Sequence, residues 1–186
     1  MAIREVLRMG NPLLRQIAEP VENPLAADIQ QLITDLRETM QARSGAGLCA
    51  PQIGISKRVL IYGNGAPNPR YPDAGIIQET VLINPILTAI CTGQQTESEM
   101  QTGWEGCLSV PGLRGEVQRW RRLRLQACNA NGQEIDRILE GFEARVVQHE
   151  CDHLDGILFP DRLISPTRIG YIEELVLSGQ IPAVPA

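Results

Sequence analysis

No apolar run in the 186-residue chain approaches the ~20 residues needed to cross a bilayer, so no membrane-spanning helix is expected. The N-terminus supplies no secretion signal either. MAIREVLRMGNPLLRQ puts Arg4, Glu5 and Arg8 where an apolar core would lie. A cytoplasmic protein is expected, and the lack of an organellar transit segment favours a bacterial one. Internal repeats, low-complexity tracts and linkers are missing too, so the expectation is one domain over residues 1–186, long enough to bury an apolar core. The five cysteines, at 49, 91, 107, 128 and 151, follow no regular spacing, and an odd number cannot all pair within the chain. Without an export signal their roles are buried apolar residue, metal ligand or nucleophile. Positive charge is in deficit: 17 Lys and Arg against 22 Asp and Glu leave a formal charge of −5. That balance argues against a nucleic-acid substrate. The one basic cluster, Arg119, Arg121, Arg122 and Arg124 around Trp120, borders a stretch that alternates polar and apolar from Arg122 to Gln126. It reads as the wet face of a strand.

What is present is globular: 43% hydrophobic and 21% charged residues. Asn23-Pro24 opens a helix, with Asn as cap and Pro at the first helical position. Leu25, Ile29, Leu32, Ile33, Leu36 and Met40 give it one apolar face, and Gly45 and Gly47 end it. Strands are expected at Val59 to Tyr62, Val81 to Leu87 and Leu123 to Cys128. Asn131-Gly132 forms a hairpin turn into Glu134 to Leu139. Gly63 to Ile76, rich in Pro and Gly, reads as an exposed loop. A second helix runs from about Gly141 to Asp155 and is closed by Gly156, with Pro160 beyond. Hairpins with separate helices predict an α+β fold, its antiparallel strands packed around the second helix.

The scarcest residue carries the chemistry. The chain has two histidines, and both fall in His149-Glu150-Cys151-Asp152-His153 on that helix. Residues four apart share a helix face, so both imidazoles can reach one ion. Glu150 stands beside them as a base, which is the physical content of an HExxH motif. Catalytic sites usually take three ligands from the protein. The residues leave two sources for the third: Cys107 in Glu105-Gly106-Cys107-Leu108-Ser109, or Glu173 or Glu174 downstream, which would make an ordinary zinc endopeptidase. Glu173 and Glu174 also read as the wet side of an amphipathic segment, RIGYIEELVL.

A third stretch, Gly45-Ala46-Gly47-Leu48-Cys49-Ala50-Pro51-Gln52-Ile53-Gly54, points to Cys107. Together with EGCLS and Gln148 to His153, it resembles the three ordered motifs of the peptide deformylases, over roughly residues 3 to 165. The resemblance implies a metal-dependent hydrolase that removes the N-formyl group from the initiator methionine of new polypeptides and releases formate. It implies Cys107, His149 and His153 as ligands of one divalent ion, typically iron(II), with zinc, nickel or cobalt able to replace it. Glu150 would move the protons. The Gln52 amide and the Leu108 backbone N–H would steady the formyl oxygen. Gly45, Gly47 and Gly106 would let an extended substrate approach the backbone, Val146 would line the core or a methionine pocket, and Arg114 would meet the peptide beyond methionine. N-formylmethionyl nascent peptides are the implied partners.

Other readings stand beside these roles. Gln52 could cap a turn, Ser109 lacks a third histidine to activate it, and Arg145 could pair with Glu105 or another acid. Cys49 replaces the family's usual alanine and could compete for metal or oxidise, while Cys151 should point away from the ion. Prolines 182 and 185 preclude the long C-terminal helix with which many bacterial members are thought to dock on the ribosome, which puts contact with the ribosome exit region in doubt. A non-enzymatic peptide-binding protein is a third possibility, but it would have no need of Glu150 and Gln52.

Overall fold

Side-chain alternation along the strands decides how the main sheet is covered. The structure, a computed structural model, describes residues 3–67, 75–91 and 99–183. Part of the expected 63–76 loop and the last three residues lie outside the described residues. In chain order the elements are α1 (Ala27–Ala42), β1 (Gly47–Cys49), β2 (Val59–Tyr62), β3 (Thr80–Ala89), β4 (Met100–Cys107), β5 (Val110–Trp120), β6 (Arg122–Cys128), β7 (Glu134–Glu140), α2 (Gly141–Leu154), β8 (Ile169–Tyr171) and α3 (Ile172–Leu177). One antiparallel sheet has the order β1-β2-β3-β6-β7, and a second has β4-β5-β8. The expected α+β class is the observed one.

On the larger sheet, Leu48, Val59, Ile61, Val81 and Ile83 pack with Leu32, Ile33, Leu36 and Met40 of α1. Their neighbours Cys49, Leu60, Tyr62 and Leu82 pack with Ala144, Val147, Cys151 and Leu154 of α2. Successive strand residues face opposite sides, so the sheet is buried between the two helices. This is why Val59-Leu60-Ile61-Tyr62 contains no wet position: all four are buried. Helix α2 also touches β5 of the second sheet, so it lies where both sheets meet. Its end follows the expected pattern. Gly156 takes φ +73°, and the Gly156 and Ile157 N–H groups donate to the carbonyls of His153 (3.3 Å) and Asp152 (2.9 Å).

Several expectations need correction. Helix α1 starts at Ala27, because Asn23 spends its side chain on a local turn, accepting from the Leu25 N–H at 3.0 Å. Leu25 consequently lies outside the apolar face and is exposed. The left-handed residue after the helix is Ser44 (φ +50°), not a glycine. Asn131-Gly132 is not a two-residue turn. Asn129 anchors a longer loop, accepting from the N–H groups of Asn131, Gly132 and Gln133. Strands β4 and β5 escaped the sequence pattern because glycines interrupt it. Gly103 and Gly115 make room for side chains crossing the sheet: a Cβ at Gly103 would sit 3.2 Å from Arg145 Nη2, and one at Gly115 would sit 2.7 Å from Phe159 Cε2. Within the basic run, Arg122 and Arg124 do form surface ion pairs, with Glu140 (2.7 Å) and Asp136 (2.5 Å). Arg119 does not belong to that wet face; it is buried. Past the six residues of α3 the described chain is not helical. Among the described residues, no helix is long and apolar enough to cross a membrane.

Candidate metal centre

Two elements meet to build the site. Cys107 ends β4 and pairs with Val110 across a two-residue turn, Leu108-Ser109. Helix α2 brings His149 and His153, one turn apart, with ring centroids 5.1 Å apart and ring planes at 75°. Cys107 Sγ lies 3.1 Å from His153 Nε2. One donor atom from each of Cys107, His149 and His153 falls within 4.8 Å of the others, close enough to share an ion. Glu173 and Glu174 are exposed on α3 and lie outside this group.

The surroundings fit a divalent cation. His149 Nδ1 donates to Glu105 Oε2 at 2.9 Å, which turns Nε2 toward the other two ligands. Burial opposes ionisation of the Cys107 thiol. The His153 and His149 charges and hydrogen bonds outweigh it, so the thiol is held well below its usual range, toward the thiolate a metal needs. His153 Nδ1 is buried without a hydrogen-bond partner, and so is Glu150 Oε2. Buried polar atoms are seldom left so. Burial pushes Glu150 up to about 7, against the lowering effect of the two histidines. A carboxyl poised there can both take and give a proton near neutral pH.

Gln52 ties off its own turn and turns its amide toward Cys107. Its Oε1 accepts from the Cys49 N–H (3.0 Å) and thiol (3.3 Å), as a cap would. This turns Nε2 inward, 3.5 Å from Cys107 Sγ and 3.2 Å from Ser109 Oγ. Gly47 lies against the acid: a Cβ there would come within 2.5 Å of Glu150 Oε1, so glycine is a steric requirement. Gly106 is similarly covered by the Arg114 guanidinium. A cleft of about 470 Å³ joins these residues with Leu108, Val146 and Arg114. Val146 is at once core and cleft wall. Cys49 is fully buried, and burial raises its thiol well above the usual range; it does not join the ligand group. Cys151 packs in the core behind α2, away from the three ligands, as expected.

Two residues behind the site were not singled out from the sequence: Arg119 and Asp152. Arg119 grips Glu105 through Nε and Nη2, both at 3.0 Å, and donates its Nη1 to Asp152. Arg145 adds a bond to Glu105 at 2.8 Å, the pairing expected of it. Held this way, Glu105 stays ionised: burial opposes its charge, but bonds from His149 and Arg119 pull its pKa far down. One available signal was strand periodicity, which puts Arg119 on the same inward face as Val117.

Residues 3–168 match the family model of polypeptide deformylase. The chain belongs to that family. It is 54% identical over 181 residues to peptide deformylase 1 of Prochlorococcus marinus, covering 97% of this chain and 91% of that protein. It is 49% identical to peptide deformylase 2 of Ralstonia nicotianae, with 97% of each chain covered. A Met-Ala-Ser-bound crystal structure of a class I type b peptide deformylase from Acinetobacter baumannii superposes with a TM-score of 0.79 at 40% identity, covering 87% of this chain and 99% of the other. The reaction is the family's: metal-dependent hydrolysis that takes the N-formyl group from new polypeptides.

Proposed function

We propose that Glu150 is the proton carrier of deformylation at a metal ion held by Cys107, His149 and His153. The observation that carries this reading is the buried Glu150 Oε2, which has no partner among the described residues and stands beside the three-ligand group. A divalent ion there would supply Lewis acidity, enough to lower the pKa of a water from 15.7 to about 7. Glu150 takes the proton from the water as its oxygen bonds to the formyl carbon. The formyl C–N bond then breaks, and Glu150 passes a proton to the departing methionine amine, leaving formate. Gln52 Nε2 and the Leu108 N–H donate to the formyl oxygen as negative charge gathers on it. Val146 supports the methionine side chain. Gly47 leaves room for the Glu150 carboxyl and Gly106 for the Arg114 guanidinium, and Arg114 meets the residues after methionine. The Met-Ala-Ser peptide held by the Acinetobacter relative is consistent with a tripeptide-sized cleft.

Iron(II) is the metal we assign because it is the family's usual ion; one thiolate and two imidazoles would equally accept zinc, nickel or cobalt as replacements. The substrates are N-formylmethionyl nascent chains in a cytoplasmic setting. The test is formate release from a formyl-methionyl peptide by protein purified without oxygen and loaded with iron(II). Rapid release that fades in air is expected. No release from folded, metal-loaded protein would overturn the assignment. A Cys107→Ala variant that still holds its metal would remove Cys107 from the ligand set.

A further inference from the structure

Beyond the metal centre the cleft opens into a mouth whose charge deformylation itself does not require. Among the described residues Arg8, Arg43 and Arg114 line it, with Glu5 as the acid beside them. Arg8, Arg43 and Glu5 are exposed and Arg114 is half-buried. The other charged groups in the cleft lie deeper. Glu105 is neutralised by Arg119 and Arg145, which leaves Glu150 on the floor.

The positions of these arginines are built in. The Leu7 N–H donates to the Gln52 carbonyl at 2.8 Å, and the Met9 N–H donates to the Ser109 carbonyl at 2.7 Å. Arg8, between them, is therefore tied to the two residues that touch each other beside Cys107. Arg4, further along the same strap, is neutralised by Asp35 at 2.6 Å. Arg8 and Arg43, by contrast, form no ion pair among the described residues. Arg43 follows α1 directly, and Ser44, at φ +50°, turns the chain into Gly45 and β1. Within the sheet β1 pairs with β2 alone. Its other edge faces the cleft at Gly47 and suits an extended peptide laid alongside it. At about 3.3 Å per residue, the two residues after methionine carry such a peptide about 7 Å outward, into reach of long arginine side chains.

We propose that this mouth makes the protein selective for formyl-methionyl peptides with acidic side chains at the second to fourth positions. The inference rests on the deformylase reading and adds the charge of the residues downstream. Rim charges act on encounter and ground-state binding and leave the bond-breaking step alone. The preference should therefore sit in KM and weaken with salt, since charges more than about 8 Å apart are screened at physiological ionic strength.

Three peptides test it: formyl-Met-Asp-Asp-Ala, formyl-Met-Ala-Ala-Ala and formyl-Met-Lys-Lys-Ala. At low salt kcat/KM should fall in that order, by roughly 10-fold from first to last if each exposed pair contributes a few-fold. The spread should be carried by KM and shrink at high salt. The charge-reversed pair Arg8→Glu with Arg43→Glu should invert the order, and the milder Arg8→Gln with Arg43→Gln should flatten it. Calorimetric binding of the deformylated products Met-Asp-Asp-Ala and Met-Lys-Lys-Ala should show the same ranking without turnover. Equal kcat/KM for three peptides that are all cleaved, or an order unmoved by charge reversal, would overturn the inference while leaving deformylation standing. Cleavage of none would remove the deformylase reading and the inference with it.

Discussion

The two sides of helix α2 treat their polar groups in opposite ways. On the side toward β4 and β5, partners are abundant. Arg145 bonds Glu105 and the carbonyls of Gln101 (2.8 Å) and Val117 (3.2 Å). Gln148 exchanges bonds with the Trp120 backbone at 3.1 and 3.0 Å. His149 bonds Glu105, and Asp152 bonds Arg119 and Arg162. On the other side, Glu150, which lines the cleft, and His153, through Nδ1, each keep a buried atom with no partner among the described residues. An unmet buried polar group costs about 1–3 kcal/mol, so the two sides cannot both be optimised for stability. The saturated side holds His149 in place, and in the proposed mechanism the unsatisfied Glu150 is the group that moves protons.

The largest effect should come from the unsaturated side. Glu150→Gln removes the proton carrier but keeps the shape, so kcat should fall roughly 100-fold or more, with metal content unchanged. Metal analysis alongside formate release checks both halves. Because Gln ends a burial strain on a carboxylate, the variant should unfold no more easily than the parent. Near-normal turnover would remove Glu150 from the mechanism and leave the comparison without a functional side.

Next comes Glu105, where the two sides touch. Glu105→Gln loses the carboxylate that orients His149, and removal of such support typically lowers metal affinity 10- to 100-fold. It also leaves Arg119 and Arg145 buried with less compensating charge, for which about 3 kcal/mol is a reasonable loss. A metal titration and a denaturant melt read the two separately. Unchanged metal affinity with lowered stability would mean that the saturated side is only a scaffold.

The cleft side was the more legible from sequence, for a physical reason. His149, His153 and Glu150 announce themselves by residue type and by a spacing that one helix dictates, whereas Cys107, on a strand, was chosen over Glu173 and Glu174 only through the family resemblance. The helix α2 boundaries and strand β2 followed from periodicity and a left-handed Gly156. The saturated side depends on which strands cross, and β4 and β5 were hidden by Gly103, Gly106, Gly112 and Gly115. Without those strands Arg119 could not be placed opposite Glu105, and it was grouped with the solvated Arg122 and Arg124. Asp152 stood in plain view within the motif, but its partners come from other elements, Arg119 on β5 and Arg162 beyond the end of α2. Patterns local to one element could be read in advance, whereas ion pairs between elements needed the fold.

The smallest effects mark how far the saturated side extends. Asp152→Asn should cost about 1–3 kcal/mol, because Arg119 loses one charged partner in a buried setting but keeps Glu105. Its effect on metal affinity should be smaller than that of Glu105→Gln, since two more contacts, through Arg119 and Glu105, separate it from His149. Arg162 is the outermost member: it bonds Asp152 at 2.9 Å, but its side chain is 46% exposed. Exposed pairs are worth about 0–1 kcal/mol, so Arg162→Ala should shift the melt by less than about 1 kcal/mol and leave metal affinity alone. Melts and metal titrations of the three variants together then give a graded series from His149 outward. If Arg162→Ala weakened metal binding as much as Asp152→Asn does, solvent-exposed charge would be reaching the ligand. The saturated side would then be a conduit between surface and metal, and the division of α2 into a fixed side and a working side would fail.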